Sequence, residues 1–202
     1  MSSLLDPQHL ITTFGLIGIA LVLFAETGLL IGFFLPGDSL LFIAGLMTSG
    51  ETKIAPLWAL LLVTVTAGFV GDQTGYQIGK STGPAVLRSR AGRMIGDERI
   101  NKAHEYFAKY GARTVVIARF VPIVRTVVPV LAGINEMPRT TFVKWNLIGA
   151  FLWGTLLPIA GHYLGGIAFI REHVDLIVVG IILLSLIPVL IQVLTTRKSA
   201  SS

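Results

Sequence analysis

Six apolar segments follow one another along the chain, separated by shorter polar stretches. They lie at about residues 10–35, 36–49, 54–75, 112–133, 142–168 and 174–195. A helix needs about 20 residues to cross the hydrocarbon core of a bilayer, and the first, third, fifth and sixth segments are long enough. The pattern therefore predicts an all-α, polytopic integral membrane protein with about four spanning helices.

The second and fourth segments contain prolines that predict broken helices. Segment 36–49 is too short to cross, and segment 112–133 is interrupted by Pro122 and again by Pro129. Proline removes a backbone donor and clashes with the preceding turn. Irregular backbone at membrane depth is tolerated only where protein or a water-filled cavity satisfies its polar groups. We therefore expect two re-entrant, broken-helix hairpins that line a cavity.

The charged residues are few and fall mainly between the apolar segments. They make up 13% of the chain, against about 25% in soluble domains. The net charge of +5 lacks the aromatic interleaving that would favour nucleic acid as a partner. Eight Lys or Arg residues against three acids lie between Lys80 and Arg113, which predicts a cytoplasmic loop. Both termini are then predicted to be cytoplasmic, with 36–49 entering from outside and 112–133 from inside.

Three short matches at nearly equal offsets predict an internal repeat. Phe34-Leu35-Pro36 recurs as Phe120-Val121-Pro122, Ala44-Gly45 as Ala132-Gly133, and Tyr76-x-x-Gly79 as Tyr163-x-x-Gly166, at offsets of 86, 88 and 87 residues. Copies that enter from opposite faces form an inverted repeat, as in many transporters. We expect one membrane domain over 1–202, in four parts. These are repeat 1 at about 10–79, a cytoplasmic amphipathic segment at 80–111, repeat 2 at about 112–195 and a tail at 196–202.

Four ionisable residues inside the apolar segments are the main candidates for a site. They are Glu26, Asp38, Arg119 and Arg125, and each costs about 2.5–3.5 kcal/mol on insertion scales. Asp38 could also cap a half-helix. Two guanidiniums suit a phosphate. Carboxyls suit proton exchange, because burial and a nearby arginine act on their protonation in opposite directions. Two interpretations stay open: mutual neutralisation, or an anion that displaces carboxylates as they take up protons.

The remaining polar residues in apolar segments have weaker signals. Asp72 lies near the predicted cytoplasmic end of its segment, where it could reach headgroups, and is kept as a possible secondary site residue. Asn146 and Trp153 are interpreted as packing and interface groups. The chain has no cysteine, no metal-ligand spacing and no hydrolase or ATPase signature. We therefore expect no metal, no cofactor and no enzymatic activity.

Several longer stretches resemble the DedA family of bacterial membrane proteins, within the SNARE-associated or VTT-domain superfamily. Besides Glu26, they are Phe33–Leu40, Gly71–Gly79, Lys109–Gly111, Ala118–Thr126 and Asn146–Ala150. One departure is His162, where the family is expected to have glycine. The resemblance implies a transporter of the bacterial plasma (inner) membrane with two re-entrant hairpins. The family's functionally important acids and arginines match Glu26, Asp38, Arg119 and Arg125.

The resemblance also implies a function in membrane homeostasis that depends on the proton motive force. The leading prediction is a flippase for undecaprenyl phosphate or a related anionic lipid. Arg119 and Arg125 would hold the phosphate, while Glu26 and Asp38 would couple protons. The predicted partners are membrane lipids and protons, and self-association into a homo-oligomer stays open. The alternatives are a passive lipid scramblase, a proton/cation antiporter and a non-transporting membrane scaffold.

Overall fold

A computed structural model of the chain describes residues 7–29, 37–49, 54–88, 111–165 and 167. The predicted segment at 174–195, the tail at 196–202 and most of the amphipathic segment, 89–110, lie outside the described residues. All the regular elements in the described ranges are helices, which confirms the all-α class. They are α1 (Pro7–Gly28), α2 (Gly37–Leu46), α3 (Leu57–Arg88), α4 (Thr114–Ala118), α5 (Pro122–Ile134) and α6 (Arg139–Leu164).

Two of these helices are long and apolar enough to cross a membrane. Their qualifying stretches are Leu57–Gly83 in α3 and Arg139–Leu164 in α6, and α1, α2 and α5 contain shorter apolar stretches. Large apolar side chains point outwards from the bundle, with Ile17 73% exposed and Leu62 63% exposed. Such an apolar exterior is what a protein surrounded by lipid requires, and it agrees with a membrane protein. The number of spans and the re-entrant hairpins stay predictions.

Helix α3 extends well beyond the end that the sequence predicted. Its apolar segment was expected to stop at about residue 75, but the helix continues to Arg88. At a rise of 1.5 Å per residue, Asp72 lies about 22 Å from the start of the helix, close to its middle. Asp72 is 4% exposed, so the expectation that it reaches headgroups from the cytoplasmic end is wrong.

The fourth apolar segment breaks once, not twice. Helix α4 ends at Ala118, and Val121 has an extended backbone (φ −115°, ψ 109°) immediately before α5 begins at Pro122. Proline is well placed in a first helical turn, where its missing N–H has no partner in any case. Pro129, in contrast, lies inside α5 without ending it. The expectation of a second interruption is wrong, because α5 continues past Pro129 to Ile134; the Pro129 side chain packs against Gly75 of α3.

Helices α3 and α6 are antiparallel and form the frame of the bundle. The Thr64 hydroxyl donates to the Gly154 carbonyl at 2.8 Å, and the Asn146 amide donates to the Phe69 carbonyl at 3.1 Å. As the residue number rises along α3, the contacted residue number therefore falls along α6. The two helices pair over their middle turns, with their C-terminal ends at opposite ends of the bundle.

The half-helices α2 and α5 run towards opposite ends of this frame. In α2, Gly45 lies against the backbone of Pro158, so α2 follows the C-terminal half of α6. In α5, Gly133 lies against the Tyr76 carbonyl, so α5 follows the C-terminal half of α3. The starts of α2 and α5 consequently meet near the middle of the bundle.

Glycines bring each half-helix close to the backbone of its long partner helix. Gly45 and Gly133, which the sequence matched, play the same role against their partner helices. Gly79 lies against the Val130 backbone in α5. Gly161 makes the corresponding contact with the Phe42 backbone in α2. The matched tyrosines also differ, since Tyr76 is 1% exposed and Tyr163 is 74% exposed. The surroundings of the two matched tyrosines therefore differ, Gly166 lies outside the described residues, and the repeat stays a prediction.

Two apolar clusters enclose the middle of the bundle. One joins α1, α2, α3 and α6 around Leu23, Leu41 and Trp153. The other joins α3, α4, α5 and α6 around Tyr76, Phe142 and their neighbours. The Tyr76 and Phe142 rings stack at 4.6 Å, and the Tyr76 hydroxyl donates to the Met137 carbonyl at 2.6 Å.

We expect Gly79→Ala to destabilise the protein by about 1–3 kcal/mol, the usual cost of overpacking a tight contact. An added Cβ would overlap the Val130 backbone, which cannot move aside as a side chain can. Gly75→Ala is the matched control on the same helix, because its Cβ would meet the Pro129 side chain at an ordinary 3.4 Å. Thermal unfolding in detergent measures both, and equal melting temperatures for the two variants would contradict the assigned α3–α5 contact.

Candidate functional site

Five charged residues lie together where α2 and α5 begin. Four of them are the residues that the sequence singled out, and the fifth is Asp72. Glu26, Asp72, Arg119 and Arg125 are at most 6% exposed, and Asp38 is partly buried. The structure thus brings all four sequence candidates into one cluster in the interior of an apolar bundle, while their function stays a prediction.

Arg125 joins three helices through one guanidinium. Its Nη2 donates to Glu26, near the C-terminal end of α1, and its Nη1 donates to Asp38, in the first turn of α2. Arg125 itself lies in the first turn of α5. Gly37 makes the approach of α1 and α2 possible, because a side chain there would overlap the Glu26 carboxylate. Asp38 also gains from its position at the positive end of a helix.

Arg119 forms a second, separate group of contacts. It lies at the break between α4 and α5, and its Nη1 donates to Asp72 of α3 and to the Asn146 side-chain carbonyl of α6, the latter at 2.9 Å. The Asn146 amide nitrogen donates in turn to the Phe69 carbonyl at 3.1 Å. This second bond fixes which way the Asn146 amide faces, so that its oxygen meets Arg119.

Trp153 of α6 connects the two arginine groups. Its indole N–H donates to Asp38 at 2.8 Å. The guanidinium carbons of Arg119 and Arg125 lie 5.2 Å and 4.9 Å from its ring centroid, which is within cation–π range. Trp153 is 2% exposed. A single buried ring therefore contacts both cations and one of the carboxylates.

The cluster contains more acid than base. Three carboxylates face two guanidiniums, so the fully ionised cluster has a formal charge of −1. Several of its buried polar atoms have no hydrogen-bond partner among the described residues: Glu26 Oε2, Arg119 Nε and Nη2, and Arg125 Nε. Buried charge is retained in proteins only when it is paired and hydrogen-bonded. An excess carboxylate and unused donors together are the chemistry expected of a site that exchanges protons and binds an anion.

Two of the residues in this cluster were misassigned from the sequence. Asn146 and Trp153 were interpreted as packing and interface groups, but both contact the charged side chains. A signal was available, because they are seven residues apart and therefore on one face of α6. Trp153 is also 14 residues from the start of α6, near mid-helix, whereas interface tryptophans lie near helix ends.

The described residues contain no group of three His, Asp or Glu side chains placed to hold a metal ion. An apolar groove of about 460 Å³ lies between α1 and α3, lined by Leu21, Phe24, Leu62, Val63, Ala67 and Val70 with two further residues. Phe24 and Val70 are each two residues from an acid of the cluster, Glu26 and Asp72 respectively. Residues two apart on a helix do not share a face, so the groove lies at the height of the charged cluster but on other faces of α1 and α3.

Comparisons with known proteins agree with one another. Residues 35–163 match the family model described as the VTT domain. Protein DedA of Escherichia coli is 38% identical over 181 residues, which cover 90% of this chain and 83% of that protein. An uncharacterized membrane protein of Mycobacterium tuberculosis is 35% identical over 209 residues, covering 99% and 92%. Inner membrane protein YghB of Escherichia coli is 31% identical over 175 residues, covering 86% and 78%. No solved structure matches the chain.

We expect Asp72→Leu to destabilise the protein by about 3–5 kcal/mol, because it leaves the Arg119 guanidinium buried without its carboxylate. Adding Arg119→Leu should recover much of this loss, since the double variant removes both charges. Unfolding of the two single variants and the double variant in detergent measures the coupling. Lys144→Ala, which removes an exposed charge, is the control, and strictly additive losses would refute the Asp72–Arg119 pair.

Proposed function

We infer the function of this chain from its family and its charged cluster. It belongs to the VTT-domain (DedA) family of membrane proteins, and we propose that it is a proton-coupled transporter of an anionic lipid. Undecaprenyl phosphate is the proposed substrate, and a bacterial plasma (inner) membrane the proposed location. A similar protein, YghB of Escherichia coli, is named as an inner membrane protein, which supports that location.

The observation that carries the proposal is where the cluster lies. Arg125, Asp38 and Arg119 are at or next to the starts of α2 and α5, which run to opposite ends of the bundle. In many transporters, broken helices meet in this way at a substrate site that can open to either face. A ligand bound at these starts would be reachable from one end along α2 and from the other along α5.

The chemistry of the cluster favours a phosphate as the bound group. Guanidiniums bind phosphate oxygens through two parallel hydrogen bonds, and the two arginines have unused N–H groups in the buried interior. The half-helix starts add backbone dipoles that favour anions. The α1–α3 groove lies at the same height on other faces of these helices, is almost entirely apolar, and would take part of the lipid chain.

Proton coupling follows from the charge of the cluster. Because the ionised cluster already has a formal charge of −1, adding a phosphate increases repulsion unless carboxylates take up protons. In the proposal, protonation of Glu26 and Asp38 releases Arg125 from both acids and lets it turn to the phosphate. Loss of these protons on the other side of the membrane restores the ion pairs and expels the lipid. Asp72 is proposed as a third acid that supports Arg119.

Purified protein in liposomes tests the proposal directly. We expect undecaprenyl phosphate to cross the bilayer faster with an imposed pH gradient than without one, measured by the accessibility of its phosphate to an added phosphatase. Absence of protein-dependent movement under either gradient direction would refute lipid transport. Equal rates on several phospholipids without a gradient would favour a passive scramblase, and cation flux without lipid movement would favour an antiporter.

We expect Glu26→Gln to abolish the response to the pH gradient, because an amide cannot take up or release the proton. It also removes the charge from one partner of Arg125. Glu136→Gln is the matched control, since it makes the same change at an exposed acid outside the cluster. A gradient response that survives in Glu26→Gln would exclude Glu26 as a coupling group. If neither Glu26→Gln nor Arg119→Ala changes the cellular phenotype while each inserts normally, the protein is a scaffold.

A further inference from the structure

The two arginines of the cluster differ in which of their nitrogen atoms are occupied. Both terminal nitrogens of Arg125 donate to carboxylates, and only its Nε lacks a partner among the described residues. In Arg119, a single nitrogen, Nη1, makes both hydrogen bonds, whereas Nε and Nη2 have none within those residues. Arg119 is 3% exposed, so these two N–H groups are not satisfied by bulk water.

We propose that the Nε–Nη2 edge of Arg119 is the docking point of the phosphate, and that Arg125 joins only after its carboxylates are protonated. This inference rests on the proposed function. It gives Arg119 and Arg125, which the sequence treated alike, different roles in binding the phosphate. The Nε–H and Nη2–H bonds of a guanidinium are parallel, and together they form the side that binds two oxygens of a phosphate. In this structure, Arg119 offers that side complete and Arg125 does not.

The surroundings of Arg119 hold this edge in one orientation. Asp72 and Asn146 both accept hydrogen bonds from Nη1, the nitrogen opposite the Nε–Nη2 edge. The ring of Trp153 lies over the same group. Arg119 is thus held in place through Nη1, whereas an anion bound side-on would use Nε and Nη2.

Glycines make room for Arg119. A Cβ added at Gly68 would lie 2.5 Å from Nη2, and one added at Gly149 would lie 3.4 Å from its Cδ. These two positions, on α3 and α6, allow the long side chain to reach the interior. A side chain at Gly68 would press on one of the two nitrogens of the proposed docking edge, without changing any charge.

Electrostatics gives the order of events. The Arg119–Asp72 pair is formally neutral, whereas Arg125 with Glu26 and Asp38 has a formal charge of −1. An arriving phosphate is repelled less by the neutral group. Once it is bound at Arg119, the added negative charge is offset by protons that the carboxylates beside Arg125 take up from the solution at the open face. Arg125 is then free to become the second ligand.

Binding of farnesyl phosphate to purified protein in detergent tests the separate roles of Arg119 and Arg125. Farnesol serves as the matched neutral lipid and inorganic phosphate as the headgroup alone. The variants are Arg119→Lys and Arg125→Lys, each of which keeps the charge and removes the side-on pair of donors. We expect Arg119→Lys to weaken farnesyl phosphate binding about tenfold or more, the loss of a charge-assisted hydrogen bond. The loss in Arg125→Lys should be several-fold smaller near neutral pH and grow as the pH is lowered.

A second pair of variants covers the case in which Arg119→Lys does not fold. We expect Gly68→Ala to weaken binding of farnesyl phosphate but not of farnesol, because its Cβ displaces Nη2. Gly75→Ala on the same helix should leave both unchanged. General damage to the bundle would lower the affinity for both lipids equally, which would count against the docking edge.

The outcomes separate this inference from the function it rests on. If the wild-type protein binds farnesyl phosphate no better than farnesol, the phosphate site itself is refuted. If the wild type prefers farnesyl phosphate but Arg125→Lys loses as much affinity as Arg119→Lys or more, the docking edge is refuted while the transporter proposal stands. Binding of inorganic phosphate as tight as that of farnesyl phosphate would make the free anion, rather than the lipid, the ligand.

Discussion

The middle of this bundle depends on Arg125 being held between two carboxylates from different helices. Glu26 comes from the end of α1 and Asp38 from the start of α2, while the arginine opens α5. Three helix ends that would otherwise leave polar backbone in an apolar interior are therefore tied to one point by charge. Because an unpaired buried charge costs several kcal/mol, none of the three ends can move away alone. The cost of unpaired buried charge thus holds these three helix ends together.

The chemical proposal depends on the same constraint. A cluster in which every charge were matched would serve only to hold the helices together. Here three acids face two arginines, and one arginine retains a complete pair of donors. In the proposed mechanism, the excess of acid connects anion binding to proton uptake, and the donors without partners among the described residues are where the anion first binds. The proposed function therefore uses the excess carboxylate and the unpaired donors, which do not hold the helices together.

Local rules predicted the class and the four charged residues, since the cost of charge in hydrocarbon depends only on where a residue lies in an apolar segment. They failed where the answer depends on neighbouring helices. Hydropathy falls after Gly75, so α3 was ended too early and Asp72 was placed near headgroups; the helix continues because α5 packs along it. Pro129 was expected to end a helix, but α5 continues through it to Ile134. The partners of each arginine were beyond sequence reasoning, because pairing depends on how α1 and α2 sit against Arg125 and how α3 and α6 sit against Arg119.

The glycine contacts determine which helices can travel together. Gly45 and Gly161 bring the backbones of α2 and α6 into direct contact, and Gly79 and Gly133 do the same for α5 and α3. Backbones in such close contact leave no flexible side chains to absorb a shift. Each half-helix is therefore expected to move with its long partner as one rigid unit. The α2–α6 unit and the α3–α5 unit meet at the indole of Trp153, which contacts both guanidiniums. Because α3 and α6 are themselves in close contact at Val65 and Gly154, an exchange of partners at either arginine would be transmitted to both units.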